Sequence, residues 1–119
     1  MNIELLENKV LPEWFSYPKN FLRIVGQGLL DFDPWIILSG DVLNSRYLGL
    51  KNRYPERQIV PFAARDDNDD IACWDIDNGE VIMIIHDYAS PGWENKEKFN
   101  NLWSWLRSAL EETIAYEDN

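Results

Sequence analysis

Four aspartates lie within the five residues 66–70, the densest group of reactive side chains in the sequence. Such a group suits three roles: ligands for a cation, a catalytic acid and base, or a hydrophilic turn between strands. A calcium loop is disfavoured, because Ile71 stands where the sharp turn needs glycine and Asp77 stands where a bidentate glutamate is usual. Neighbouring acids in one exposed turn also share one solvent environment, which does not separate their pKa values. We therefore expect a solvated turn that contains Asp66, Asp67, Asp69 and Asp70.

Cys73 and His86, the only cysteine and the only histidine of the chain, form the second candidate group. A two-residue hairpin turn at Asn78-Gly79 would set Asp77 opposite Glu80. In that register the side chains of Cys73 and His86 lie on one face of the hairpin, diagonally about 7–8 Å apart. The sequence offers no third group to orient the histidine. We favour a buried cysteine beside an edge histidine, and a small cysteine-dependent enzyme remains an alternative.

No cofactor or metal site is expected from the other motifs. The chain lacks a Gly-x-Ser-x-Gly elbow, a phosphate-binding glycine loop and a paired-histidine metal motif. The short GQG at residues 26–28 is read as the end of a helix. We therefore expect no catalytic residue and no cofactor.

Charge is distributed unevenly along the 119 residues, whose net charge is −10. Residues 41–65 carry a net charge of +3, whereas from Asp66 onward fourteen acids face three bases, a net charge of −11. The acidic half would repel phosphate backbones and attract basic partners, so nucleic-acid binding is disfavoured.

Composition and length predict one globular domain spanning residues 1–119. A single cysteine cannot close an internal disulfide, which fits a reducing cytoplasm. The N-terminus shows no signal-peptide pattern, and the longest apolar run, Val81 to Ile85, is far shorter than a membrane span. We expect a cytoplasmic protein without membrane association. Its oligomeric state does not follow from the sequence.

The early part of the chain shows three recognisable elements. A helix is expected after Ser16, with Pro18 in its first turn and an end at Gly26 or Gly28. A buried strand is expected over residues 35–38, and residues 46–57 are interpreted as loop with some helix. A further strand includes Pro61, which lacks an N–H donor and therefore indicates a sheet edge, a bulge or a strand end.

The late part of the chain predicts a hairpin and a closing helix. The hairpin register above gives an apolar core face comprising Ala72, Trp74, Ile76, Val81, Met83 and Ile85. The helix is expected to begin between Ser90 and Asn95 and to cover this face with Phe99, Leu102, Trp103, Leu106 and Leu110. Trp105 lies off that stripe and is expected to pack on its flank. The predicted fold class is α+β: a single domain with a mainly antiparallel sheet and helices packed on one face.

Two aromatic residues near a turn, Tyr88 and Trp93, complete the candidate surface. Aromatic rings supply contact area, while carboxylates select a basic partner and speed the encounter. The alternative is that both rings only attach the last loop to the sheet. The predicted partner-binding residues are Asp66, Asp67, Asp69, Asp70, Tyr88 and Trp93.

Five motifs occur along the chain in the order LPEWFSYPKNFLRIVGQG, PWIIL, IVPFAARDDNDDIACWDI, EVIMIIHD and FNNLWSWL. This order of motifs resembles the SUKH superfamily, which includes fungal cell-wall-assembly regulators and bacterial immunity proteins. The resemblance covers nearly the whole chain. The chain departs from the family in two ways: only ten residues precede Leu11, and the acidic turn lacks glycine.

The resemblance implies an α+β fold and no catalytic residue. For bacterial members it implies neutralisation of a toxin by direct binding, on a scaffold whose partner surface varies. The sequence-based hypothesis is therefore a non-enzymatic protein-binding domain, an immunity protein whose partner is a toxin domain such as a basic nuclease. A regulatory interaction module in a larger cellular complex is the alternative.

Overall fold

The computed structural model describes residues 3–79 and 81–117. Within these ranges the chain forms three helices and six strands. In order they are α1 Lys19–Gly26, β1 Asp31–Phe32, β2 Trp35–Ile37, α2 Gly40–Arg53, β3 Ile59–Arg65, β4 Asp70–Asp75, β5 Val81–His86, β6 Asn95–Phe99 and α3 Leu102–Glu117. None of these helices has both the length and the apolar composition needed to span a bilayer.

The six strands form one sheet in which every neighbouring pair is antiparallel. Their spatial order, β1 to β6, is also their order along the chain. The predicted α+β class, a single domain with an antiparallel sheet, is confirmed. Most connections are short because each strand pairs with the next one in sequence, and the exception is the segment between β2 and β3, which contains α2.

Helices cover both faces of the sheet. On one face the ring of Phe62 in β3 lies 5.7 Å from Phe21 of α1 and 4.9 Å from Trp105 of α3. On the opposite face Val42 and Arg46 of α2 line a groove together with sheet residues 36 and 64. The expected single layer of helices is therefore replaced by two, because α2 is a full helix of fourteen residues that covers the second face.

Strand β3 lies inside the sheet, and Pro61 occupies a bulge in it. The pairing of β3 with β4 shifts by one residue between Pro61 and Ala63. Of the three settings that a strand proline allows, the bulge is the one realised, since it leaves the missing N–H without a required partner.

The register of the central hairpin differs from the prediction by one residue. Trp74 pairs with Ile82, whereas the predicted register set it opposite Met83. The N–H of Gly79 donates to the Ile76 carbonyl at 3.2 Å, so the turn is wider than two residues. The predicted partner of Asp77, residue 80, lies outside the described residues. A shift of one residue moves side chains to the other face, so Ala72 and Trp74 share a face with Ile82 and Ile84 and not with the predicted residues of β5.

The closing helix begins later than predicted. Residues 95–99 form the edge strand β6, and α3 starts at Leu102, where Asn101 caps it by accepting the Ser104 N–H at 2.9 Å. The helix buries Leu102, Trp105, Leu106 and Ala109, while Trp103 and Leu110 are each more than two-fifths exposed. Of the predicted stripe, Leu102 and Leu106 are buried as expected, whereas Phe99 belongs to β6 and Trp103 and Leu110 lie on the exposed side of the helix. Trp105 packs inside the protein as expected, but it belongs to the buried stripe itself and not to its flank.

Helix α1 begins at Lys19, after Pro18, and makes no side-chain cap bond, so Ser16 does not cap it. Its end at Gly26 is as predicted. Strand β2 matches the predicted strand to within one residue.

Candidate functional site

The predicted partner-binding residues converge on one end of the sheet. Asp70, the first residue of β4, pairs with His86, the last residue of β5. The N–H of Asp87 donates to the Asp69 carbonyl at 3.2 Å, which joins the two following connections. The turn 66–69 and the loop 87–94 therefore lie side by side, and together they are called the acidic end below.

Three of the four aspartates lie on the exposed turn. Asp67 accepts two hydrogen bonds from Arg65, at 2.8 and 2.9 Å, and this guanidinium lowers the pKa of Asp67. The carboxylates of Asp66 and Asp69 are exposed, and no residue within 3–79 or 81–117 is bonded to them. These two carboxylates keep their charge available to a partner.

Asp70 does not belong to the solvated turn, contrary to the prediction. It is buried, its Oδ1 lies 2.9 Å from His86 Nδ1, and Lys96 Nζ contacts its Oδ2. Strand β4 begins at Asp70, so the side chain is enclosed by strands β5 and β6. A buried carboxylate requires such partners because desolvation of an unpaired charge is unfavourable.

Both predicted aromatic residues project from the loop into solvent. Trp93 is 80% exposed and Tyr88 is 64% exposed. The guanidinium carbon of Arg53 lies 4.1 Å from the Tyr88 ring centroid, a cation–π contact. The alternative in which Trp93 packs the loop onto the sheet is wrong, since four-fifths of its surface is free.

A buried ion pair holds the beginning of this loop. The carboxylate of Asp87, which is fully buried, accepts hydrogen bonds from Nε and Nη2 of Arg53, both at 2.6 Å. Asp87 also accepts the Tyr88 N–H at 2.9 Å, and the Tyr54 hydroxyl donates to the Ala89 carbonyl at 2.8 Å. Tyr88 itself has φ 71°, a left-handed backbone conformation that these bonds maintain.

A second ionic cluster holds the end of the loop. Arg57 Nη1 donates to Glu94 Oε2 at 2.6 Å, and the Gly92 N–H donates to Glu94 Oε1 at 2.6 Å. Burial alone would raise the pKa of Glu94, but backbone donors and Arg57 outweigh burial, and the pKa is lowered. Arg57 also donates to Asp75 at 2.6 Å and to Asp77 at 2.9 Å. The loop is thus fixed at both ends while Trp93, between them, stays exposed.

The roles of Arg53 and Arg57 did not follow from the sequence. Their segment stood out only by its net charge of +3 within an acidic chain, which gave no indication of where the charges would go. In the structure both arginines are bonded to carboxylates of the C-terminal half, so much of the basic segment is neutralised internally.

The proposed cysteine–histidine pair does not form. Cys73 lies opposite Met83 and His86 lies opposite Asp70, so the two side chains point to opposite faces of the sheet. Cys73 is fully buried, and burial raises the pKa of its thiol well above the usual value. Among the described residues no three His, Cys, Asp or Glu side chains converge to hold a metal ion.

Comparison with known proteins gave no relative. A scan against protein-family models, a search of curated proteins and a search of solved structures each returned no match.

Proposed function

We propose that the protein is a non-enzymatic protein-binding domain whose acidic end contacts a basic protein partner. The observation that carries this proposal is Trp93, an indole that is 80% exposed on a loop held by buried ion pairs at both ends. Exposed aromatic side chains are enriched among residues that dominate binding energy. A loop that is already ordered loses little conformational entropy on association, which favours affinity.

Charge near this indole selects the partner. Asp66 and Asp69 present free carboxylates beside the loop, and positive surfaces are attracted to such a site before contact. This attraction raises the association rate at low ionic strength and weakens as salt screens it.

The finer proposal is a cytoplasmic immunity protein that neutralises a toxin domain by occluding it. It is supported by the resemblance of the sequence motifs to the SUKH superfamily and by the acidic surface, since nuclease toxins bind phosphates with basic grooves. An acidic inhibitor imitates the charge of that substrate.

Co-purification with the product of the neighbouring gene tests the proposal, followed by measurement of Kd. Trp93→Ala is expected to weaken binding by at least about tenfold, as for an aromatic hot spot. Trp103→Ala, which truncates another exposed tryptophan on α3, is the matched control and should change Kd by less than about twofold.

Charge is tested separately with Asp66→Asn and Asp69→Asn combined. This variant should lower the association rate at low salt and reduce its salt dependence. A complex in which neither Trp93→Ala nor the double variant changes binding would show that the acidic end is not the partner surface.

A further inference from the structure

A small aromatic pocket lies at the end of the sheet opposite the acidic end. Here β4 ends at Asp75, and the chain before α1 packs on it. The ring of Phe15 lies 5.0 Å from that of Trp74 and 5.6 Å from that of Trp14. The pocket has a volume of about 290 Å³, near the lower limit for small-ligand sites. It is lined by Trp14, Phe15, Ser16, Pro18, Trp74 and Asp75.

The lining has the composition of a cation site. Three of its six residues are aromatic, one is acidic and none is basic. The faces of aromatic rings carry partial negative charge and attract ammonium and guanidinium groups. Within the described residues, cation–ring contacts are those of Lys51 with Tyr47, Arg53 with Tyr88 and Arg65 with Trp35, so the rings of this pocket hold no internal cation.

The ionic cluster behind the pocket adds a negative field. Arg57 contacts three carboxylates, those of Asp75, Asp77 and Glu94, so this cluster has a formal charge of −2 when ionised. The Asp75 carboxylate already accepts bonds from Arg57, Asn78 and the Asp77 N–H. It therefore attracts a cation through its field rather than through a direct hydrogen bond.

We propose that this pocket binds an organic cation, an alkylammonium or guanidinium group, against the rings of Trp14, Phe15 and Trp74. The pocket is too small for a large ligand but accommodates one such group and the methylene groups next to it. The assignment does not depend on Trp93, Asp66 or Asp69, which carry the proposed partner surface; Glu94 at the end of the loop 87–94 is the residue that both descriptions share.

Choline and its neutral analogue 3,3-dimethyl-1-butanol are matched probes, since they share a shape and differ in charge. Titration of the intact protein is followed by the NMR signals of the tryptophan indole N–H groups. We expect choline to shift the Trp14 and Trp74 signals saturably and the neutral analogue to bind at least about fivefold more weakly. N-acetyl-arginine methylamide, titrated in parallel, represents an arginine side chain of a protein partner.

Variants locate the site. Trp14→Leu keeps an apolar side chain but removes the ring, and it should weaken cation binding about five- to tenfold. Trp14→Phe retains a ring and should stay within about threefold of the natural protein. Trp93→Ala, at the other end of the sheet, should leave cation binding unchanged.

The outcomes are decisive in both directions. Tighter binding of choline points to a free small cation, and tighter binding of the arginine derivative points to a partner side chain; both support the site. The proposal is overturned if neither cation gives a saturable shift, or if the neutral analogue binds as tightly as choline. Failure here leaves the partner surface at the acidic end untouched, because the two sites are tested with different variants.

Discussion

Individual carboxylates of this protein fall into two groups that the sequence did not separate. Asp66 and Asp69 are exposed, as predicted for the whole cluster, whereas Asp70 and Asp87 are buried and paired with cations. The sequence shows charge but not the distant partner that makes a buried charge tolerable, since Arg53 is 34 positions from Asp87. This is why the solvated turn was predictable and its boundary at Asp70 was not.

Asp87→Asn should lower the free energy of unfolding by about 3 kcal/mol, because it leaves Arg53 without its buried partner. Urea denaturation of both proteins measures this difference. Asp66→Asn is the matched control, an exposed carboxylate whose removal should cost less than about 0.5 kcal/mol. Equal effects of the two substitutions would contradict the importance of the buried pair.

Cys73 should react slowly with a thiol reagent such as iodoacetamide in the native protein, since burial raises the pKa of its thiol and blocks access. Labelling should become fast only in denaturant. Rapid labelling of the native protein near neutral pH would instead revive a catalytic role for this residue.

At the scale of the elements, the apolar pattern of the sequence predicted those elements that carry such a pattern. Strands β2 and β3 and the existence of the hairpin all followed from local signals, and Pro61 limited its own setting to three, of which the bulge is realised. Strand β6 was missed because its sequence, NKEKF, is charged and exposed and shows no apolar alternation. Its pairing with β5 depends on backbone hydrogen bonds that side-chain patterns do not reveal.

Helix α2 and the hairpin register were missed for other reasons. The helix buries only Leu43, Tyr47 and Leu50, and three buried apolar residues among fourteen do not give a recognisable helical period in the sequence. The register depended on the length of the turn, and an error of one residue reverses the faces. The turn 66–69 and the loop 87–94 lie close together because they follow β3 and β5, the two neighbours of β4. This convergence depends on the strand order and not on the register, and the partner-binding role of these residues stays a prediction.

Trp105→Ala in α3 should lower the free energy of unfolding by about 3–5 kcal/mol, because the indole is fully buried against Phe62 and Trp35. Trp103→Ala removes the same side chain from the exposed side and should cost less than about 1 kcal/mol. Denaturation of the two variants therefore measures the phase of the helix. A larger loss for Trp103→Ala would show that the predicted stripe was right after all.

At the scale of the whole molecule, charged residues have two roles: internal ion pairs and an acidic surface. The basic segment is largely used inside the protein, where Arg53 and Arg57 hold the two ends of the loop 87–94. The remaining acidic surface is free to attract a basic partner. One charge distribution therefore orders the loop 87–94 and, in the proposed function, also selects the partner.

Stability should fall in acid because the Glu94 carboxylate must stay ionised to bind Arg57. The folded-state pKa of Glu94 is lowered from the ordinary value of 4.5, so its contribution is complete above about pH 4.5. That contribution is lost as the pH falls through the lower folded-state pKa. Glu94→Gln should therefore be less stable at neutral pH and should lose less stability on acidification.

Thermal or urea unfolding across this pH range measures the effect, with Glu97→Gln on the exposed strand β6 as the control. Parallel stability profiles for the natural protein and Glu94→Gln would mean that this carboxylate does not contribute to acid sensitivity.

The central claim is that the acidic end contacts a protein partner. Hydrogen–deuterium exchange of the protein alone and bound to its captured partner tests this claim most directly. Slower exchange concentrated in residues 66–69 and 87–94 is predicted, since the partner would cover the amides around Trp93. Protection confined to α3 or to the segment around Trp14, with unchanged exchange at the acidic end, would contradict it.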